Sequence, residues 1–298
     1  MQSLDNGETS RWWRAMIWSL RIGVALQCLG NWWWLTRIGE SPLLGWLINP
    51  ADIGGLQWNE STAIATQRAI GWLALVAGVV VLLRPCAAVL GPLVLLQVTI
   101  ATAMWRSADG FSLTADWLPA QWVTLFPFMT QAARIAAPAG LLLLDPWRPA
   151  RPLRGKRTRS AVTLLRWAAA VTFLAHGIES WQHNPQFTDL LIGATARVFG
   201  AELSQSTAEK LLSIIGAADM LVAIACVVIR SRYLMGWMVV WGAITASSRV
   251  VALGSSLGYM SLTRSPHVAV PLAVTLYWHL LQWRPADSEY DDSNEEDS

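Results

Sequence analysis

The strongest constraint on this chain is a series of apolar stretches, each near 20 residues long, from which charge is almost absent. Segments 70–83, 89–104 and 211–229 contain no Lys, Arg or Glu, and Asp219 is their one acidic residue. A helix needs roughly 20 mainly apolar residues to cross about 30 Å of hydrocarbon, because every backbone amide must be satisfied within the segment. On that criterion the chain holds about eight spans, at 13–35, 67–83, 87–105, 121–144, 162–181, 211–229, 233–253 and 267–283. Trp12 and Trp13 precede the first span's apolar run and Trp32, Trp33 and Trp34 close it. The clusters are about 30 Å of helix apart, the spacing of two interfacial aromatic belts. Charged residues make up 14% of the chain, against about 25% in an ordinary soluble domain. The expected fold is an all-α, polytopic membrane protein without a large soluble domain.

The charges that remain are segregated. The connection between the fourth and fifth spans carries Arg148, Arg151, Arg154, Lys156, Arg157 and Arg159, and two tight turns carry Arg84 with Pro85 and Arg230 with Arg232. Positive charge in short loops marks the cytoplasmic side. Arg11 and Arg14 put the N-terminus there too, and an even number of spans returns the chain there at Arg284, so both termini are expected on the cytoplasmic face of an inner membrane. No signal-peptide cleavage site follows the first apolar run. The acidic end, from Asp287 to Asp297, reads as a solvated, disordered tail. A net charge of +2 divided in this way does not imply nucleic acid. Cys28, Cys86 and Cys226 form no CxxC pair, which disfavours a disulfide framework or a zinc knuckle. The bilayer is the evident partner, and a larger membrane complex or a homo-oligomer fits the same surface.

The two halves of the chain look like one design used twice. Leu20-Arg21 opens an apolar run that reaches Gly30-Asn31; Leu165-Arg166 opens one that reaches Ala175-His176 at the same spacing. A long outer connection follows in each half, then Ile70-Gly71 or Ile215-Gly216, an apolar run ending at Arg84 or Arg230, a tight turn and two more spans. The domain division expected is 12–145 for a first four-helix repeat, 146–160 for a basic linker, 161–284 for a second repeat and 285–298 for the tail. With an even number of spans each, the repeats are parallel, related by an axis along the membrane normal.

Arg166, the apolar run to Phe173-Leu174 and the pair His176-Gly177 resemble the first-helix signature of DoxX-like proteins, which are four-helix membrane proteins. Asp219, within Ile215-Gly216-Ala217-Ala218-Asp219, stands where that family often has an acidic residue in its second helix. The resemblance covers the second half, and the first half is a degenerate copy, with Asn31 in place of His176 and Ala74 opposite Asp219. It implies a redox-associated membrane subunit, since some DoxX-like proteins are similar to subunits of thiosulfate:quinone oxidoreduction or are linked with thiol and amine oxidation.

Ionisable residues inside spans cost roughly 2.5–3.5 kcal/mol each on insertion scales, so each needs a reason. His176, Glu179, Asp219, Arg249 and His267 all fall in the outer third of the second half. The first four are the candidate site. In one reading Asp219 and Arg249 form an ion pair while His176 and Glu179 face a quinone-like ligand as proton carrier and hydrogen-bond partner. In another, His176, Glu179 and His183 with Asp219 hold a metal, although no second His motif supports one. In a third, Asp219 and Arg249 only tie helices together. Arg134, between Pro127 and Pro138, suits a structural role at backbone carbonyls freed by proline, with ligand binding as the alternative. Arg21 and Arg166 are placed to snorkel to lipid phosphate.

Three classes of function follow: a redox-associated subunit with a quinone-like ligand, a transporter or lipid-handling protein, and a non-catalytic scaffold. No haem ligand pair, flavin fingerprint or CxxC occurs, so any electron carrier must come from outside the chain. Enzymatic activity is left open.

Overall fold

The computed structural model describes residues 2–106, 120–144 and 155–283. Arg148, Arg151 and Arg154 of the basic linker, the acidic tail and the expected boundaries at 145–146 and 284–285 lie outside them. Among the described residues there is no strand, and almost every expected span is a helix.

The first helix, α1 (Gln2–Trp33), ends in a π-helical turn at Trp34–Ile38. A short helix, α2 (Pro42–Ile48), occupies the connection to α3 (Glu60–Leu83), and Pro85 separates α3 from α4 (Ala87–Arg106). The fourth span departs from expectation. It is not one helix over 121–144 but two, α5 (Ala120–Thr130) and α6 (Ala132–Leu144), interrupted at Gln131. Pro127 and Pro138 lie inside the two pieces. The break has identifiable partners: Thr172 Oγ1 accepts from the Ala133 N–H at 2.9 Å, and Gln27 Nε2 donates to the Arg134 carbonyl at 3.2 Å. That carbonyl is the one from which Pro138 removes the helical donor four residues on.

The second half runs through α7 (Lys156–Trp181), α8 (Pro185–Phe199), α9 (Gln205–Val228), α10 (Arg232–Leu253), the four-residue α11 (Tyr259–Leu262) and α12 (Pro266–Trp283). Its long outer connection is not a plain loop, because α8 fills it. Asn184 caps α8 by accepting from the Gln186 N–H, and Pro185 supplies the favoured first residue.

Five helices, α3, α4, α7, α9 and α10, are long and apolar enough to cross a membrane. Their sidedness is the reverse of a soluble bundle. On α3 the exposed face is Leu73, Val76, Val79 and Leu83, while Gly71, Ala74 and Gly78 turn inward. On α9 it is Ile214, Leu221, Ile224 and Val228 that are exposed. Large apolar side chains outside and small ones at the helix contacts suit a lipid surround, where close backbone approach drives association.

α1 lies along α3, and α7 lies along α9. α4 packs on α6, and α10 packs on α12. The halves are joined crosswise, α6 against α7 and α12 against α1. The last contact is close, with Ser265 Oγ donating to the Gly23 carbonyl at 2.7 Å.

Candidate functional site

The end of the bundle where α7 meets α8 collects the costly polar residues. On α7, one turn separates His176 from Glu179, and Nδ1 of the first lies 2.6 Å from Oε2 of the second. Glu179 is buried, and the bond orients the imidazole and leaves its other nitrogen, Nε2, buried without a protein partner. His267, at the start of α12, brings its ring to 5.3 Å from that of His176, and its Nε2 is likewise unpartnered.

Two cavities meet here. The larger, ≈ 170 Å³, runs between α7, α8, α9 and α10 and is walled mainly by apolar side chains such as Phe173, Leu190, Leu191 and Ile215. His176, Asp219, Arg249 and His267 are set into its wall. The smaller, ≈ 90 Å³, is polar and is lined by Gln131, Arg134, Glu179 and Asn184. Both share His176, Phe187, Arg264 and His267. Of the four candidate residues, His176, Asp219 and Arg249 therefore face the first cavity, while Glu179 joins His176 at the second.

The expected ion pair between Asp219 and Arg249 is not formed. Arg249 Nη1 instead donates to the Thr245 carbonyl on its own helix at 2.6 Å, and its guanidinium lies over the Phe187 ring at 5.8 Å. Among the described residues, the one contact between a basic and an acidic side chain at this site is His176 with Glu179. The alternative metal set is not assembled either. His183 is exposed and bonds Ser213 Oγ at 2.7 Å, and among the described residues no group of three or more His, Cys, Asp or Glu side chains is placed to hold a metal ion.

Two arginines join the site that the reading of the chain had assigned elsewhere or passed over. Arg134 is buried on α6, where Nη1 donates to Gln131 Oε1 at 2.5 Å, and its Nε and Nη2 have no protein partner. Its guanidinium does not repair the proline break, which Gln27 does. Arg264 sits in the turn before α12, with Nη1 donating to the Met260 carbonyl at 3.1 Å. Desolvation lowers its pKa to about 10, opposed by Glu179 and Tyr259, so it remains a cation at neutral pH. One signal for Arg264 was available in the chain: it is a positive charge in a loop assigned to the outer side, against the charge rule.

Arg166 departs from the lipid-phosphate expectation as well. It reaches the C-terminus of α9, donating to the Cys226 carbonyl at 2.7 Å and the Val227 carbonyl at 2.6 Å, acceptors that the helix leaves unsatisfied there. In the first half, Asn31 is fully buried and neither its Oδ1 nor its Nδ2 has a protein partner.

No family model, curated protein or solved structure matches the chain.

Proposed function

We propose that this chain is a polytopic membrane protein of eight spans, in two parallel four-helix repeats, that binds the head of a lipophilic, quinone-like molecule in the cavity of its second half. The eight spans are α1, α3, α4, the broken pair α5 and α6, α7, α9, α10 and α12. The repeat is supported by matched close approaches at one offset of 145 residues, from Gly71 to Gly216, Trp32 to Gly177 and Thr36 to Trp181. A Cβ at Gly71 would lie 2.7 Å from Thr36 Cγ2 and 3.6 Å from the Trp32 carbonyl oxygen. One at Gly216 would lie 2.6 Å from both Trp181 N and the Gly177 carbonyl oxygen. The same offset relates Arg21 to Arg166 and Asn31 to His176. A DoxX-like origin for the second half rests on the short motif from Arg166 to His176-Gly177 and on Asp219.

The observation that carries the ligand reading is His176: Nδ1 is held by Glu179, and the unpartnered Nε2 belongs to a ring in the wall of a mainly apolar cavity. A ring fixed in this way can donate to, or exchange a proton with, a carbonyl oxygen brought in on an apolar body. Redox turnover would require an electron donor from outside the chain. The inner-membrane location with both termini cytoplasmic rests on the basic turns and linker.

Trp241 also lines this cavity, so its fluorescence reports occupancy. Titrating the purified protein in detergent with decylubiquinone should quench that fluorescence saturably, and Ala194→Trp, which fills the cavity, should abolish the saturable component. Quenching that is linear, or unchanged in Ala194→Trp, would refute the quinone reading.

A further inference from the structure

The smaller cavity makes a demand that a neutral quinone does not meet. Arg134 and Arg264 line it, and Glu179 is its one carboxylate among the described residues. Arg249 faces the adjoining space. Glu179 is engaged with His176, and among the described residues none of the three guanidiniums forms an ion pair with a carboxylate. Arg134 is the sharpest case, since it is 5% exposed with two of its nitrogens lacking a protein partner. A buried guanidinium left in this way is costly, and the cost is offset by an anion that accepts its fixed fork of N–H groups. His267, 7% exposed with Nε2 unpartnered, lies on the same wall. By the measure in which one water needs roughly 10–15 Å³, this space of ≈ 90 Å³ accommodates a carboxylate or a phosphate group.

We infer that the space between Arg134, Arg264 and His267 is an oxyanion site, taking a carboxylate or phosphate group. Arg134 and Arg264 donate N–H groups to the negative oxygens, and Gln131 holds Arg134 toward them. The four residues shared with the apolar cavity make one two-part site. An acyl or isoprenoid body fits the large compartment while an acidic head reaches the small one; a free small anion beside a separate lipophilic molecule satisfies the same chemistry. The inference rests on the reading that these cavities take a ligand, but not on that ligand being a quinone.

The test uses the full chain, delipidated in neutral detergent and followed by thermal unfolding at constant ionic strength. The probes are dioleoyl phosphatidic acid, the matched neutral dioleoylglycerol, and inorganic phosphate against chloride. Phosphatidic acid should raise the melting temperature where dioleoylglycerol does not, which identifies a lipid head; an equal rise with inorganic phosphate identifies a free anion. Either effect should weaken about tenfold or more in concentration in Arg134→Gln, since charge-assisted bidentate bonds of this kind carry at least that much affinity. If Arg134→Gln does not fold, Arg264→Gln gives the same readout, because Arg264 lies in a turn. A protein that takes up decylubiquinone but responds equally to phosphatidic acid and dioleoylglycerol, and to phosphate and chloride, overturns the oxyanion site alone. One that responds to the anions but not to decylubiquinone overturns the quinone reading alone. An anion response undiminished in both folded variants overturns the assignment to these arginines.

Discussion

Gln27 of α1 donates its side-chain amide to the backbone carbonyl of Arg134 on α6, 107 positions away, and both groups are buried. The bond replaces the helical donor that Pro138 lacks, so a defect in one helix is repaired by another. Gln27→Leu should therefore destabilise the bundle by about 1–2 kcal/mol, the cost of stranding a buried carbonyl. Adding Pro138→Ala, which restores an N–H to that carbonyl, should recover most of the loss. Unfolding in mixed micelles measures both, and a double variant no more stable than Gln27→Leu alone would show that the bond is not what Gln27 provides.

How far this arrangement was legible depends on whether a residue's neighbours are on its own helix. The span ends at Leu83, Trp181 and Leu253 follow from hydrophobic length and punctuation, and the structure places them at the expected positions. His176 and Glu179 share a turn, so their juxtaposition follows from helical spacing alone. The accommodation of the broken span does not, because the Ala133 N–H is met by Thr172 and the carbonyl that Pro138 strands is met by Gln27, both on other helices. Arg134 and Arg264 reach His176 only through the packing of α6 and α12 around α7, a pairing that no local period encodes. For the same reason Asp219 and Arg249 looked like partners by depth, yet depth leaves rotation about each helix axis undetermined.

That correction changes what the variants should do. With no ion pair to break, Asp219→Asn should leave stability within about 0.5 kcal/mol of the parent or raise it, since it removes a buried carboxyl that Arg249 does not pair. His176→Gln should also remain folded, while decylubiquinone binding falls at least about tenfold for want of the oriented imidazole. Thermal melts and the tryptophan titration read the two effects separately. A folded His176→Gln protein with parental binding would leave the bundle as a scaffold.

The proposed repeat makes an asymmetric prediction at its matched glycines. At Gly216 an added Cβ would meet backbone atoms, the Gly177 carbonyl oxygen and the Trp181 nitrogen, both at 2.6 Å. At Gly71 the nearest atom, at 2.7 Å, is the Thr36 side-chain methyl and not backbone. Gly216→Ala should thus cost about 1–3 kcal/mol by forcing α7 and α9 apart, and Gly71→Ala clearly less. Equal costs at both sites, or none at Gly216, would mean that α7 and α9 do not depend on this approach.

The proposed orientation can be tested with thiol chemistry that the chain itself simplifies. Cys28 and Cys226 are buried, whereas Cys86 is exposed in the turn between α3 and α4. In the eight-span arrangement that turn faces the cytoplasm with Arg84, so a membrane-impermeant maleimide added to intact cells should not label the parent protein, and should label Cys86 once the membrane is opened. A Cys86→Ser background then allows single cysteines to be introduced. Cysteine at Gln205, at the first turn of α9, or at Trp58, in the exposed segment before α3, should react from outside in intact cells. Cysteine at Lys156, which begins α7, should behave as Cys86 does. The positive charges set these signs: Arg84, Arg230 and Arg232 flank the two tight turns, and Lys156, Arg157 and Arg159 open α7, so inverting the chain would carry all of them across the membrane. Labelling of Cys86 from outside intact cells, with protection at Gln205, would reverse the orientation and put the oxyanion site on the cytoplasmic side.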